Sequence, residues 1–530
     1  MKKLLSLFLA LCLLLTVMVP AFAAEAQETC PMIYIEGQGI YLYTDDGTLV
    51  YDLGISITDR MQPHIKDFAK YALLASATGY SKPFCDLLYE TIAPVYEAEK
   101  LGKDGMPRDG SHVHPNNMWR GQGKLDNIRK TIPMTGGRSY PVFRWHYDWR
   151  LSPITLADEL HDLIEAVLQD TGASKVDLSS RCISTNIVYA YLYKYGPDKV
   201  NSSVFYASAL HGIGVANALF TGNVVIDPDA AERFLIYYRE QNNLVIRDDA
   251  TTDLVFSLLY LANEMKLLGV GLDVITNAFN KMKSDVLVRI LHDSFGTYPG
   301  YWSMVSADQY EAARAFVFGD VQEEWAGLLE KTDAYYEMQK QMDDYLRSIS
   351  DKVRFGVVAK YGFPNFPLSE DAAEESDGYV ATRFASLGAT CADTDTTLTD
   401  GYIRAAVQYG KAQYLSADCK IDASTALFPD TTWFVKDLYH TYFPDCVNDF
   451  LVAFAAEDGM TVRTDPAFTQ YLQFEATNNM GSDYTTGVLT PIRSMADTHD
   501  GSEPYRHSFW DVLRAFFRSL GAVIKSLFQR

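Results

Sequence analysis

At 530 residues the chain can hold one large α/β domain with a sizeable insertion, or two to three ordinary domains. About half the residues are apolar and 13% are aromatic, with 34 Tyr and 28 Phe, a composition that excludes a disordered chain and favours apolar-lined grooves. Asp plus Glu outnumber Lys plus Arg by 68 to 46, which excludes nonspecific nucleic-acid binding and long-range attraction to anionic lipid wherever positive charge is not locally concentrated.

Residues 1–23 carry Lys2 and Lys3, an apolar stretch from Leu4 to Val19, and then Pro20-Ala21-Phe22-Ala23. This is the pattern of a cleaved secretory signal, with an uncleaved anchor as the alternative. No later stretch reaches the roughly 18 apolar residues needed to cross a bilayer, so the expectation is an exported, secreted or cell-envelope protein. Beyond the signal lie six cysteines, Cys30, Cys85, Cys182, Cys391, Cys419 and Cys446, none in C-x-x-C spacing.

Met32–Ile35 reads as a short strand that stops at Glu36-Gly37-Gln38-Gly39. Helical periodicity follows at 62–76 and 83–100. Residues 103–138, rich in Gly, Pro, Asn and Arg, read as a long loop. A strand returns at 139–143, and residues 155–170 place Leu156, Leu160, Leu163, Ile164 and Val167 on one helix face. Then come a strand at 174–179, a helix through about Tyr195 and a strand at 200–207, an alternation that predicts a parallel sheet covered on both faces. From 230 to 350 the pattern becomes almost continuous amphipathic helix, either a cap over the C-terminal edge of the sheet or a separate helical domain. Strands resume at 353–361 and 431–436, and 461–506 reads as irregular. In 507–530, Phe509, Trp510, Leu513, Phe516, Phe517 and Leu520 form a stripe opposite Arg514, Arg518, Lys525 and Arg530. That helix fits either peripheral contact with a membrane or docking on the body of the protein.

The segment 174–186 carries the chemistry. In the motif G-x-S-x-G the nucleophile sits on a strained strand-to-helix turn that only small flanking residues permit. Here Ser180 and Ser184 are the small residues and Cys182 occupies the nucleophile position. A thiolate there is a strong nucleophile when a base or a helix N-terminus stabilises it. The plainer reading of a cysteine after a buried strand is a small core side chain.

Three blocks carry a resemblance. Val142-Phe-Arg-Trp-His-Tyr-Asp-Trp-Arg-Leu-Ser-Pro153, a helix and then Lys175-Val-Asp-Leu178 form the first; Lys360-Tyr-Gly-Phe-Pro364 with Glu375-Ser-Asp-Gly-Tyr-Val-Ala-Thr382 the second; Trp433-Phe-Val-Lys-Asp-Leu-Tyr-His440 the third. Together they resemble the lecithin:cholesterol acyltransferase-like, lipase-containing branch of the α/β-hydrolase superfamily, over roughly 30–220 and 350–455. The resemblance implies an α/β-hydrolase fold over those two stretches and has no counterpart for the helical block or the C-terminal helix; with the segments read above, the chain divides as signal peptide 1–23, core 24–229, helical cap 230–350, core 351–460, an irregular segment 461–506 and an amphipathic helix 507–530. The resemblance also implies a Cys182–His440–Asp377 triad, with Asp422 as the alternative acid, and an oxyanion hole from the backbone of Ile183 and of Gly37-Gln38. Glu36, beside that loop, would be unfavourable near a developing oxyanion unless its carboxylate turns away.

The implied activity is hydrolysis or transfer of an acyl group from an ester or thioester of an apolar, lipid-like small molecule, without metal or cofactor and without a nucleic-acid partner. A cysteine at this position also resembles polyhydroxyalkanoate synthases, which keeps transfer open beside hydrolysis. The rival is an inactive hydrolase-fold protein that binds a lipid or a cell-envelope partner. His112-Val-His114 lacks a third metal ligand and reads as a solvated loop. The acidic run at 368–377 also reads as a solvated loop, with calcium as the alternative.

Overall fold

The computed structural model describes residues 30–38, 41–44, 47–52, 62–108, 125–225, 283–477 and 486–498, together with isolated positions from 227 to 233. The signal segment, the His112/His114 pair and the helix at 507–530 lie outside the described residues.

Nine strands form one sheet: β1 (Met32–Ile35), β2 (Arg129–Met134), β3 (Arg138–Trp145), β4 (Val176–Arg181), β5 (Val200–Tyr206), β6 (Arg354–Tyr361), β7 (Thr432–Lys436), β8 (Tyr471–Ala476) and β9 (Gly487–Pro491). Their spatial order is β9-β8-β7-β6-β5-β4-β1-β3-β2. Pairing is parallel from β3 through β8 and antiparallel at both edges. The protein is therefore α/β with a mostly parallel sheet.

Alternate strand residues feed two cores, as the pleat requires. Ile33, Ile35, Phe143, Trp145 and Leu178 pack on one face under the helices Pro153–Thr171 (α1) and Ser184–Tyr195 (α2). Met32, Tyr34, Ile132, Val142 and Val204 pack on the other against Asp445–Ala456 (α3). Helix α1 shows how local chemistry sets an element. Ser152 caps it by accepting from the Ile154 N–H at 3.3 Å, Pro153 occupies its first turn, and Gly172 ends it at φ 73°. Its predicted apolar face is fully buried, each large side chain contributing about 1.5–3 kcal/mol.

Chain order relative to strand order places the site. From β1 the chain moves outward to β3, then returns to β4 on the opposite side of β1. Connections leave the carboxyl ends of β1 and β4 in opposite directions, opening a crevice there. The register Ile35↔Ser180 brings Glu36-Gly37 level with Arg181-Cys182 at its mouth.

Four sequence expectations are revised. Residues 129–134, read as loop, form β2, an edge strand in which only Ile132 and Met134 are buried. The segment 461–506, read as irregular, supplies β8 and β9. The insertion, read as a cap, does two different things among its described residues. Around 298–306 it covers the crevice: the Asn186 amide donates to the Ser303 carbonyl at 3.0 Å, and Ile213 N–H donates to Met304 O at 2.9 Å. Farther on, Tyr335, Met338, Met342 and Leu346 join the main core beside α1 and α2, because their apolar side chains bury there. Residues 62–108, assigned to the sheet domain, pack on the insertion as well: Cys85 meets Val286 and Ile290, and the Tyr89 hydroxyl donates to Asp293 at 2.7 Å, while Val95, Tyr96 and Leu101 join the main core.

Candidate active site

Cys182 joins β4 to α2 at φ 51°, a left-handed conformation that costs a non-glycine residue about 1–2 kcal/mol. Its surroundings fix that geometry. The Cys182 N–H donates to Tyr206 O at 3.0 Å and its carbonyl accepts from the Thr185 N–H at 3.1 Å. The Ser184 hydroxyl accepts from the Arg181 N–H at 2.8 Å, and the Ser180 hydroxyl donates to Val204 O at 3.2 Å. Both serines are essentially inaccessible, so the two positions flanking the bend are small and sealed. Cys182 is half-buried and packs against a buried apolar cluster that includes Ile183, Ile213, Met304 and Val380.

The loop after β7 brings His440 to the sulfur. Its Nδ1 lies 2.7 Å from Asp377 Oδ2, and its backbone N–H donates to Asp377 O at 2.8 Å. The other carboxylate oxygen of Asp377 accepts from the N–H groups of Tyr379 (3.1 Å) and Val380 (2.9 Å), so the acid is aimed by its own turn. Gly378 closes that turn at φ 99°, where a Cβ would run into the Tyr439 ring. With Nδ1 engaged, Nε2 is the nitrogen left to hydrogen-bond the Cys182 sulfur.

Charge follows geometry. Burial opposes protonation of His440, but Asp377 and then Cys182 outweigh it and raise the ring to about 9. Burial likewise opposes ionisation of Asp377, yet His440 and Lys360 hold its carboxyl below the usual carboxylate range. Both shifts favour the imidazolium–carboxylate form of the pair.

Asp422, the alternative acid, sits elsewhere. Its carboxylate accepts from the Ser424 N–H at 2.8 Å and from the Tyr402 hydroxyl at 2.9 Å, and it caps a turn rather than meeting His440. Ile183 directly follows the sulfur at the start of α2, where backbone N–H groups have no intrahelical acceptor. Gly37 is buried against Arg181, a Cβ at that position falling 3.3 Å from Arg181 Cγ, while the Gln38 amide donates to the Tyr301 hydroxyl from the insertion. Glu36 does turn away from the crevice chemistry, its carboxylate taken by the guanidinium groups of Arg144 and Arg181. Arg181 in turn lies over the Phe443 ring at 5.2 Å, coupling the Glu36 loop to the histidine loop. No spacing rule links residues 36, 144 and 181, so this network had no sequence signal.

Two motif residues prove structural. Asp148 holds Arg150 through two contacts of 2.8 and 2.7 Å, and Arg150 donates onward to Glu99 O at 2.6 Å. Asp177 accepts from Ser202 (2.6 Å) and Asn201 (2.8 Å). The acidic run at 368–377 is not a solvated loop: Asp371, Glu375 and Asp377 are buried, with Glu375 paired to Lys420. Burial there is satisfied by specific partners, which composition could not reveal. Among the described residues no cluster of three His, Cys, Asp or Glu side chains is arranged to hold a metal ion.

No family model matches the chain, and no curated protein matches it. Among solved structures the chain is similar to the crystal structure of the Tle4-Tli4 complex, at 13% identity over 62% of this chain and 75% of that one, with a TM-score of 0.24. So low a score transfers neither fold nor function.

Proposed function

We propose that the protein is an exported α/β-hydrolase-fold enzyme that cleaves or transfers the acyl group of an apolar carboxylic ester or thioester through a cysteine nucleophile. The observation that carries this reading is the His440 ring, held 2.7 Å from Asp377 on one side and hydrogen-bonded to the half-buried Cys182 sulfur on the other.

In the proposed reaction the Cys182 thiolate, paired with the His440 imidazolium, adds to the substrate carbonyl carbon. The resulting oxyanion is met by backbone N–H groups of Ile183 and of the Gly37-Gln38 loop. Collapse breaks the bond to the leaving alcohol or thiol, which takes the proton from His440 Nε2, and leaves an acyl-thioester on Cys182. Neutral His440 then takes a proton from water, or from an acceptor hydroxyl or thiol, which attacks the thioester; the acid or new ester departs and the thiolate–imidazolium pair is restored. Asp377 keeps the ring in the tautomer that both halves require.

The apolar cluster against which Cys182 packs, with Ile183, Ile213, Met304 and Val380, favours an acyl chain over a small polar acid. Across p-nitrophenyl esters from acetate to decanoate, kcat/KM is expected to rise by about three- to fivefold per added CH2 while the chain stays against that cluster, the equivalent of ~0.8 kcal/mol each. Steady-state kinetics check this. A flat series, or one that falls from acetate onward, contradicts an apolar acyl site.

A further inference from the structure

We propose that Lys360 is a positioning residue whose ammonium group holds the histidine-bearing loop in register with Asp377 and Cys182. The proposal rests on the catalytic assignment above and extends it to a residue that touches neither substrate nor sulfur.

Lys360 lies in β6, in a run of apolar residues, and is completely inaccessible. A lysine ammonium taken wholly out of water costs several kcal/mol unless every N–H finds an acceptor. Here the acceptors come from one loop. Nζ donates to the carbonyl oxygens of Tyr439 and His440, both at 2.7 Å, and approaches that of Tyr442 at 3.5 Å. Beneath it lies the Tyr206 ring, 4.5 Å from Nζ, whose hydroxyl donates to the same Tyr442 carbonyl at 2.9 Å.

The loop needs this. It leaves β7 through Asp437 at a left-handed φ of 59° and must present His440 while its own carbonyls turn into the protein. Those carbonyls, left unpaired in the interior, would destabilise the loop and draw it outward toward water. A methionine of similar volume would fill the space without any charge to desolvate, so packing alone does not call for a lysine. Burial is the main influence on the ammonium and lowers its pKa to about 7, opposed by the nearby Asp377 carboxylate. Protonated or neutral, Nζ keeps N–H donors for these carbonyls, and what it does beside the triad is bind the backbone of the histidine.

The experiment compares Lys360→Met and Lys360→Gln with the wild-type full chain by three measurements. These are hydrogen–deuterium exchange of the peptide covering 437–443, the rate of Cys182 alkylation by iodoacetamide from pH 5 to 10 read by peptide mass spectrometry, and p-nitrophenyl ester kinetics. In Lys360→Met, exchange in the loop should accelerate about tenfold or more, as expected for loss of a charged hydrogen bond. Cys182 alkylation should fall about tenfold, toward the rate of a peptide thiol, with kcat reduced far more than KM is raised. Lys360→Gln, which keeps two N–H donors, should recover part of each effect irrespective of its melting temperature. Wild-type exchange and alkylation in folded Lys360→Met overturns the proposal. Faster loop exchange in Lys360→Met, in a protein whose wild-type form neither hydrolyses esters nor alkylates faster than a peptide thiol, upholds the positioning role and removes the enzymatic reading instead.

Discussion

Replacing Cys182 by alanine is expected to lower turnover of the best p-nitrophenyl ester by at least about 10³-fold while leaving the melting temperature within a few degrees of wild type. The magnitude is that of losing the nucleophile of a catalytic triad, where the oxyanion hole and substrate binding alone keep only the residual rate. The near-neutral stability follows from the bend. Cys182 is half-buried and sits at φ 51°, so its side chain contributes little packing and its backbone is strained whichever residue occupies it. Alanine removes the sulfur without emptying a core position. The contrast with Cys446 is useful: that thiol is buried among Val447, Phe450 and Phe454 and its pKa is pushed up to about 12 by burial, so Cys446→Ala should cost stability and leave turnover unchanged. Parallel assays of the two variants, with thermal unfolding of each, read both halves of the expectation.

Asp377→Asn is the second large effect, an expected loss of about 10³- to 10⁴-fold in kcat/KM, because an amide at this position favours the wrong tautomer of His440. Its pH dependence carries more information than its size. His440 must be protonated to pair with the thiolate and to serve the leaving group, so wild-type activity should fall as pH rises through about 9. Asp377 is the largest of the influences that raise the ring, opposing its burial, and without it the alkaline limb should move down toward the ordinary histidine value of about 6.5. The same pair shapes stability. His440, raised in the folded state, contributes stability that is complete below about 6.5 and lost as pH climbs through about 9. Asp377, depressed in the folded state, contributes stability present above about 4 and lost as pH falls. Asp377→Asn should flatten both limbs of the melting-temperature profile, whereas Asp422→Asn, whose carboxylate meets Tyr402 and Ser424, should leave both the activity limb and the histidine contribution in place.

Much of this arrangement was legible before any coordinate was considered, and the reasons differ from element to element. The bend at Cys182 was visible because sterics restrict its neighbours: Ser180 and Ser184 are small where the turn admits nothing larger. Strands β4 to β7 were visible because each carries β-branched or aromatic residues and because β4 and β5 alternate with helical segments. Strand β2 was not, since an edge strand beginning Arg129-Lys130-Thr131 and containing Pro133 has the composition of a loop and buries only two residues. Strand β9 was hidden for a related reason, as an edge strand in which only Gly487 is buried, whereas β8 lies inside it and its apolar Tyr471, Leu472 and Phe474 are interrupted by Gln473, so no clear periodicity shows. The choice between Asp377 and Asp422 depended on a turn that aims one carboxylate by its own backbone N–H groups, a device invisible in composition. The Glu36–Arg144–Arg181 network and the Lys360 contacts join residues far apart in the chain. Lys360 did leave a trace, a lone cation within Val357-Val-Ala-Lys-Tyr361, and a charge in a buried strand is itself a reason to look for partners.

The account stands on the sulfur of Cys182 forming the covalent intermediate. Its most direct test is intact-protein and peptide mass spectrometry of the chain mixed with p-nitrophenyl octanoate and quenched in acid within the first turnovers. The expected result is a single octanoyl adduct mapped to Cys182, cleaved by hydroxylamine and absent from Cys182→Ala. Turnover of the ester with no adduct at that residue, or with the acyl group on another side chain, would contradict it.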